Sequence, residues 1–181
     1  MANRIVEAAW GWTAGGALPL VVDASSCTLG IAEEVVPHLS EDNRELHQEL
    51  TVVDSLVWAA DELLPELRVV ERTGSAVVHP TCSMRHLDDV AQLRALAAAC
   101  ADEVVVPDDA RCCAFAGDRG MLHKELTDSA TAKEATEVGG RPYDVYLSAN
   151  RMCEIGMERA TGHPYRSALV ELERATRPPS R

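Results

Sequence analysis

Short apolar runs rich in β-branched residues alternate along the chain with longer segments of helical periodicity. This alternation predicts strands and helices wound into a largely parallel sheet. The predicted strands cover residues 18–22, 69–70, 76–79, 104–106 and 145–147. The predicted helices cover residues 2–11, 28–36, 53–64, 83–100, 119–138, 150–160 and 164–175. The expected fold class is therefore α/β, with a doubly wound, mostly parallel sheet.

The clearest helical pattern lies in residues 83–100, with Ser83 placed as an N-cap and apolar residues repeating at helical spacing. Cys100 ends the apolar face of this helix. A small thiol in that position is typical of a buried core residue. We therefore expect Cys100 to be structural.

The other cysteines follow the predicted strands. Cys27, Cys82, Cys112 and Cys153 each lie a few residues beyond the C-terminal end of a strand. Because the carboxyl ends of parallel strands meet at one edge of the sheet, residues far apart in sequence can share one pocket there. The sequence predicts such a pocket.

The adjacent pair Cys112-Cys113 is the most unusual feature of the sequence. Neighbouring Cα atoms lie about 3.8 Å apart, below the roughly 4.4–6.8 Å of unstrained disulfides, so a disulfide within the pair is disfavoured. Two consecutive thiolates can instead reach one metal centre. The small residues that follow, Ala114, Ala116 and Gly117, let backbone N–H groups approach the sulfurs.

Two segments of the chain resemble each other: VVDASSCTLGI around Cys27 and VYLSANRMCEIGM around Cys153. Both place a thiol just after an apolar run, which suggests two related halves. We expect a single domain over residues 1–181, with a partial first half at about 1–65 and a complete second half at about 66–175. Residues 176–181 are expected to form a frayed tail.

The net charge of −12 argues against nucleic acid as a partner, since phosphate binding relies on clusters of Lys and Arg. No apolar run approaches the roughly 18 residues of a membrane span, so any membrane contact is expected to be peripheral. The N-terminus lacks a signal peptide pattern, and the six cysteines are irregularly spaced. We therefore expect a cytoplasmic protein, with contact at the inner face of the membrane as an option.

The order of Cys82, Cys112-Cys113 and Cys153 resembles the cysteine-rich CCG domain. That domain occurs in heterodisulfide reductases, the glycolate oxidase iron–sulfur subunit and FAD-linked D-lactate dehydrogenases. The chain is most similar to the C-terminal iron–sulfur domain of the fused D-lactate dehydrogenases, from about residue 17 to 175. The strings that carry this resemblance are DASSC (23–27), HPTCS (79–83), CCAFAGDRG (112–120), LHKELTDSAT (122–131) and SANRMCEIGMERATGHPY (148–165).

The resemblance implies an iron–sulfur cluster, of the 4Fe-4S type, held by a set of cysteine thiolates. The implied ligands are Cys27, Cys82, Cys112, Cys113 and Cys153. Zinc is the alternative metal, because thiolates suit both, and unliganded buried thiols are a third interpretation.

By the same resemblance the chain is one module of an FAD- and iron–sulfur-dependent D-2-hydroxyacid dehydrogenase of the D-lactate or glycolate type. It would pass electrons from flavin towards a quinone or cytochrome. FAD would lie on a partner domain or subunit, and a ferredoxin-like iron–sulfur domain is also expected as a partner, because this chain has no C-x2-C-x2-C-x3-C-P run. The alternatives are a heterodisulfide-reductase-like thiol/disulfide module and a zinc-stabilised interaction domain.

The chain departs from the family pattern at two positions. Ala114 replaces the glycine of the CCG motif, which matters if that position needs positive φ. Asn150 stands where the heterodisulfide reductase pattern has the first cysteine of a C-x-x-C pair. Cys27 could restore the number of thiolates, or Asn150 could donate a hydrogen bond to a cluster sulfur.

Further polar residues flank the expected ligands. His79 precedes Cys82 and is a candidate ligand or a group that supports the ligands. Arg151 could stabilise the reduced form of an anionic cluster and raise its potential. Asp118 and Arg119 either cap the helix that begins there or face a partner or substrate anion.

Overall fold

The computed structural model describes residues 1–178, so the last part of the predicted tail, residues 179–181, lies outside the described residues. The strands in the described part are β1 (Leu20–Val22), β2 (Val52–Asp54), β3 (Thr73–His79), β4 (Ala101–Val105), β5 (Val145–Ser148) and β6 (Tyr165–Ser167). The helices are α1 (Ala2–Trp12), α2 (Ser25–Leu29), α3 (Glu41–Gln48), α4 (Ser55–Trp58), α5 (Cys82–His86), α6 (Val90–Cys100), α7 (Arg119–Leu122), α8 (Lys124–Val138), α9 (Arg151–Thr161) and α10 (Ala168–Thr176). Single π-helical and 3-10 turns extend α2 and α4 at Gly30–Glu34, Val36–His38, Ala59–Leu63 and Leu64–Glu66.

The strands form two parallel sheets. β1 pairs with β2 in a small sheet, and the larger sheet has the order β4-β3-β5-β6. In the larger sheet Val77 of the central strand β3 lies opposite Val105 on one side and Tyr146 on the other. All pairings run parallel, which confirms the predicted α/β fold class.

Helices cover both faces of the larger sheet, as a doubly wound fold requires. Alternate residues of β3 and β5 therefore enter two different apolar clusters. One face packs against α6 and α10 through Ala76, Val78, Leu147, Leu93, Leu96 and Leu172. The other packs against α8 and α9 through Val77, Tyr146, Tyr165, Val138 and Met157.

The N-terminal part of the chain shares the main core, because Leu56, Ala59 and Ala60 belong to the cluster under α6 and α10. Cys27 and Cys153 each occupy the third position of a helix that follows a parallel strand, α2 and α9 respectively. The relation between two halves stays a prediction.

Two strands and one helix were not anticipated. β2 lies at the start of the predicted helix 53–64, and β6 lies at the start of the predicted helix 164–175. Both are three-residue strands followed at once by a helix, so their apolar periodicity merges with that of the helix. α3 has no counterpart among the predictions, since its strongly polar sequence hides the helical period.

The predicted strand at 69–70 is wrong. The N–H groups of Val70 and Glu71 donate to the carbonyl oxygen of Ala175, at 2.8 and 3.1 Å. These groups are thus satisfied by the C-terminal end of α10 and pair with no neighbouring strand.

The predicted helix 83–100 is interrupted. It is split into α5 and α6, and Asp88 between them adopts a left-handed backbone with φ 63°. Thr81, and not Ser83, is the N-cap of α5, since its Oγ1 accepts from the N–H of Met84 at 3.2 Å. This earlier start places Cys82 in the first turn of α5.

No helix within residues 1–178 is both long and apolar enough to cross a membrane.

Candidate thiol-lined metal site

Four of the five cysteines expected to be ligands line one pocket, with a cavity volume of about 130 Å³. Cys82 begins α5 after β3, Cys112 and Cys113 lie in the loop after β4, and Cys153 lies in α9 after β5. The three connections leave the carboxyl ends of adjacent parallel strands. The predicted convergence of these four thiols at one sheet edge is therefore present.

The inner part of the pocket holds two buried thiols. The Sγ atoms of Cys113 and Cys153 lie 3.2 Å apart, and a ring nitrogen of His79 lies within 4.8 Å of both. The contact with the Cys153 sulfur, together with the nearby His79 imidazole and the N–H of Phe115, holds the pKa of Cys113 well below its usual value. The same contact raises the pKa of Cys153, so one thiol of the pair ionises first.

His79 ends the central strand β3 and is completely buried. Its Nδ1 contacts both carboxylate oxygens of Glu134 on α8, at 2.8 and 2.9 Å. Burial lowers the pKa of His79, but the contacts with Cys113 and Glu134 outweigh it and raise this pKa to about 9. The second ring nitrogen, Nε2, is buried and has no hydrogen-bond partner within the described residues.

The outer part of the pocket holds the exposed thiols of Cys82 and Cys112. The N–H of Ala114 donates to the Sγ of Cys112 over 3.4 Å. Burial raises the pKa of Cys112, and the neighbouring Cys82 thiol adds to this effect. The pocket thus has a buried pair of sulfurs on one side and an accessible pair on the other.

The loop that carries Cys112 and Cys113 has an unusual backbone. Ala114, Ala116 and Gly117 all adopt left-handed conformations, with φ of 54°, 43° and 67°. The replacement of the motif glycine by Ala114 therefore falls on a position with positive φ. An alanine there costs about 1–2 kcal/mol relative to a right-handed residue, so the surrounding packing has to hold the loop in place.

Phe115 supplies that packing. Its ring is completely buried and forms a cluster with Cys113 and Cys153. The guanidinium of Arg159 lies 5.3 Å from the ring centre and donates to the carbonyl oxygen of Gly120 at 3.0 Å. The side chain that orders the thiol-bearing loop is thus the single phenylalanine of the chain.

Substitution of Gly120 by alanine is expected to destabilise the protein by about 1–3 kcal/mol, as overpacking in a dense core does. A Cβ at Gly120 would lie 2.6 Å from the Cγ and 2.8 Å from the Cα of Phe115. The matched control is Gly11→Ala in α1, where a Cβ meets nothing within 4 Å and helix propensity favours alanine. Urea unfolding of both variants measures the difference; equal stabilities would contradict the close packing at Phe115.

Cys27 is not brought to this pocket. Its exposed thiol lies in a separate groove with Met1, Ile5 and Val35, whereas its neighbour Ser26 lines the thiol pocket. The ligand role of Cys27 stays a prediction, and its placement gives that role no support.

Asn150 does line the pocket, but its side chain is already engaged. Its Oδ1 accepts from the N–H of Met152 at 2.9 Å, which caps α9, and its Nδ2 donates to the Oγ of Ser26 at 3.1 Å. Ser25 makes a parallel link through its Oγ, which lies 2.7 Å from the Oγ1 of Thr81. The N-terminal part of the chain therefore contributes hydroxyl groups at this edge.

The remaining residues singled out from the sequence lie away from the pocket lining. Arg151 pairs with Glu154 at 2.8 Å and faces a neighbouring cavity. Asp118 and Arg119 are exposed, and Asp118 occupies the N-cap position of α7 without a capping hydrogen bond from its side chain. Cys100 is buried in the main core, where burial raises its pKa to about 11, in keeping with its expected structural role.

Comparison with known proteins gives no assignment for this site, because neither a family model nor a curated protein matches the chain. The class of site is therefore inferred from its donor atoms. Four thiols and an imidazole with an unpaired nitrogen form a set of soft metal ligands, so the structure presents a candidate metal centre.

Proposed function

We propose that the pocket binds an iron–sulfur cluster through Cys82, Cys112, Cys113 and Cys153, and that the chain is an electron-transfer module of an oxidoreductase. One observation carries this proposal: four thiols from three strand-to-helix connections line one pocket. Iron–sulfur clusters in proteins are most often held by four cysteine thiolates.

The pocket has properties that suit such a group. Its cavity of about 130 Å³ is several times the roughly 10–15 Å³ that one water-sized sphere needs, so there is room for more than a single ion. Backbone N–H groups of Ala114 and Phe115 point at the sulfurs of Cys112 and Cys113. Such donors stabilise thiolates and tune the potential of a centre they surround.

A bound cluster would supply one-electron oxidation and reduction. The residues of the chain hold the four sulfurs and keep water from the inner pair, since Cys113 and Cys153 are buried beside Phe115. The outer thiols, Cys82 and Cys112, face solvent, which leaves that side open to an electron donor or acceptor.

The finer proposal rests on the resemblance of the sequence to D-lactate dehydrogenase iron–sulfur domains. On that basis the module serves an FAD-linked D-2-hydroxyacid dehydrogenase, with a flavin domain or subunit and a ferredoxin-like domain as partners, and passes electrons towards a quinone or cytochrome. All six cysteines are free thiols in the structure, which supports a reducing, cytoplasmic location.

A zinc-stabilised domain is the second candidate, and the inner sulfurs favour it. Two thiolates bound at about 2.3 Å to one tetrahedral ion lie roughly 3.8 Å apart, which is near the 3.2 Å between Cys113 and Cys153. A structural zinc ion needs no further role in electron transfer.

Anaerobic reconstitution with iron and sulfide separates the two candidates. We expect a brown protein that retains iron and sulfide in equal amounts after desalting and gives an EPR signal on reduction or oxidation. Colourless protein that excludes iron and holds stoichiometric zinc would overturn the cluster proposal and leave the zinc candidate.

A further inference from the structure

We infer that His79 is itself a metal ligand: with Cys113 and Cys153 it binds a single metal atom, and Glu134 fixes its imidazole so that Nε2 faces that atom. The inference rests on the proposed thiol-lined metal site and applies when that site holds a lone ion, because a tetrahedral iron of a cluster already carries at least two bridging sulfides and has no room for three protein ligands.

The geometry of the three donors points to one shared metal atom. One ligand atom from each of His79, Cys113 and Cys153 lies within 4.8 Å of the other two, and all three residues are buried. Tetrahedral ligation with bonds of about 2.0–2.3 Å places donor atoms roughly 3.3–3.8 Å apart. The three donors thus need only small shifts to meet around one atom.

The imidazole lacks a partner at the nitrogen that this role requires. Glu134 engages Nδ1 with both carboxylate oxygens, whereas Nε2 has no hydrogen-bond partner within residues 1–178. A buried nitrogen left unsatisfied costs about 1–3 kcal/mol, so such a group is expected to have a ligand. A metal atom bound at Nε2 would satisfy it.

Glu134 has the position of a group that orients a metal-binding histidine. It is buried on α8, and a carboxylate that accepts from Nδ1–H fixes both the tautomer and the direction of the ring. The backbone of His79 is held as well, since His79 pairs with Ser148 of β5 and the Oγ of Ser148 donates to the His79 carbonyl at 2.9 Å. The imidazole therefore lies on a rigid strand and has little freedom to turn away.

Cobalt(II) added anaerobically to the metal-free chain of 181 residues tests this directly. X-ray absorption at the cobalt edge should show sulfur ligands together with one imidazole, recognisable by multiple scattering from the ring. His79→Asn should remove the imidazole pattern. Glu134→Gln should keep it but weaken cobalt binding about 10–100-fold, as loss of an orienting partner does.

The chain offers a matched control in the exposed pair His86 and Glu33, whose Nε2 and carboxylate oxygen lie 3.0 Å apart. His86→Asn and Glu33→Gln should leave cobalt affinity and the absorption spectrum unchanged. If His79→Asn does not fold, the spectrum of the unmodified chain decides the question by itself.

Sulfur-only ligation of cobalt, or no cobalt binding, would overturn the role of His79. The cluster proposal is judged separately by iron and sulfide incorporation. A chain that takes up a cluster yet shows no imidazole ligand refutes this inference alone. Cobalt bound through an imidazole in a chain that never takes up iron and sulfide refutes the cluster alone.

Discussion

Cys113→Ser is expected to abolish cluster binding, with a loss of at least about 10-fold in retained iron and sulfide after anaerobic reconstitution. Cys113 links the two parts of the pocket: it is adjacent in sequence to Cys112 of the outer part, and its Sγ lies 3.2 Å from that of Cys153 in the inner part. Its low pKa also makes it the thiol that ionises first, and metals bind the thiolate form. A neutral serine hydroxyl supplies no comparable ligand.

The matched control is Cys100→Ser, which makes the same exchange at an equally buried cysteine outside the pocket. It should retain the cluster. Cys27→Ser is the informative third variant: its separate groove predicts full retention, whereas the sequence-based ligand set predicts loss. Full iron and sulfide in Cys113→Ser would show that the pocket is not the binding site.

Phe115→Ala is expected to destabilise the metal-free protein by about 3–5 kcal/mol, the usual cost of removing a buried aromatic ring. The ring fills the space beneath Cys113 and Cys153 and lies against Gly120. Its loss also releases the loop with left-handed residues at 114, 116 and 117, so cluster retention should fall along with stability.

The measurement is urea unfolding of Phe115→Ala beside Phe115→Leu, which keeps most of the apolar volume and should lose less than half as much free energy. A change below about 1 kcal/mol in Phe115→Ala would mean that the loop is held by other contacts.

The edge at which the thiols meet could be predicted because it follows from strand direction alone. β3, β4 and β5 were all recognised from their β-branched runs, and parallel pairing sends their C-terminal ends to one side. β2 and β6 could not be separated from the helices that follow them, since three residues are too few to establish a period of two.

Glu134 and Phe115, which support the thiol pocket, were not predicted from the sequence, for a different reason. Glu134 lies in a predicted helix, and its burial could have been suspected from the small and apolar residues on the same face, Thr127, Thr131 and Val138. Phe115 lies in a loop, where no periodicity indicates which side chain turns inward. Its burial follows from tertiary packing against α9 and Gly120, which no local pattern of the sequence indicates.

Ser26 lines the thiol pocket and Cys27 does not, so the distance of a residue from the preceding strand does not by itself predict where its side chain points. Both follow β1 at the expected distance, yet adjacent residues of a helix point about 100° apart. α2 begins at Ser25, and this start directs Ser26 to the pocket and Cys27 away from it. A slip of α2 by one residue would bring Cys27 to the position that Ser26 now occupies beside the pocket.

The thiols of the pocket come from connections on three adjacent strands, with β3 in the middle. A metal or cluster bound to both Cys82 and Cys153 would therefore connect the segments after β3 and β5, which separate only when the sheet unfolds. Binding of that group raises the free energy of global unfolding by an amount that grows with its free concentration, while the fraying of distant helices is unaffected. Without that group the chain would populate the unfolded state more often, so we expect proteases to cleave the metal-free protein faster than the loaded protein.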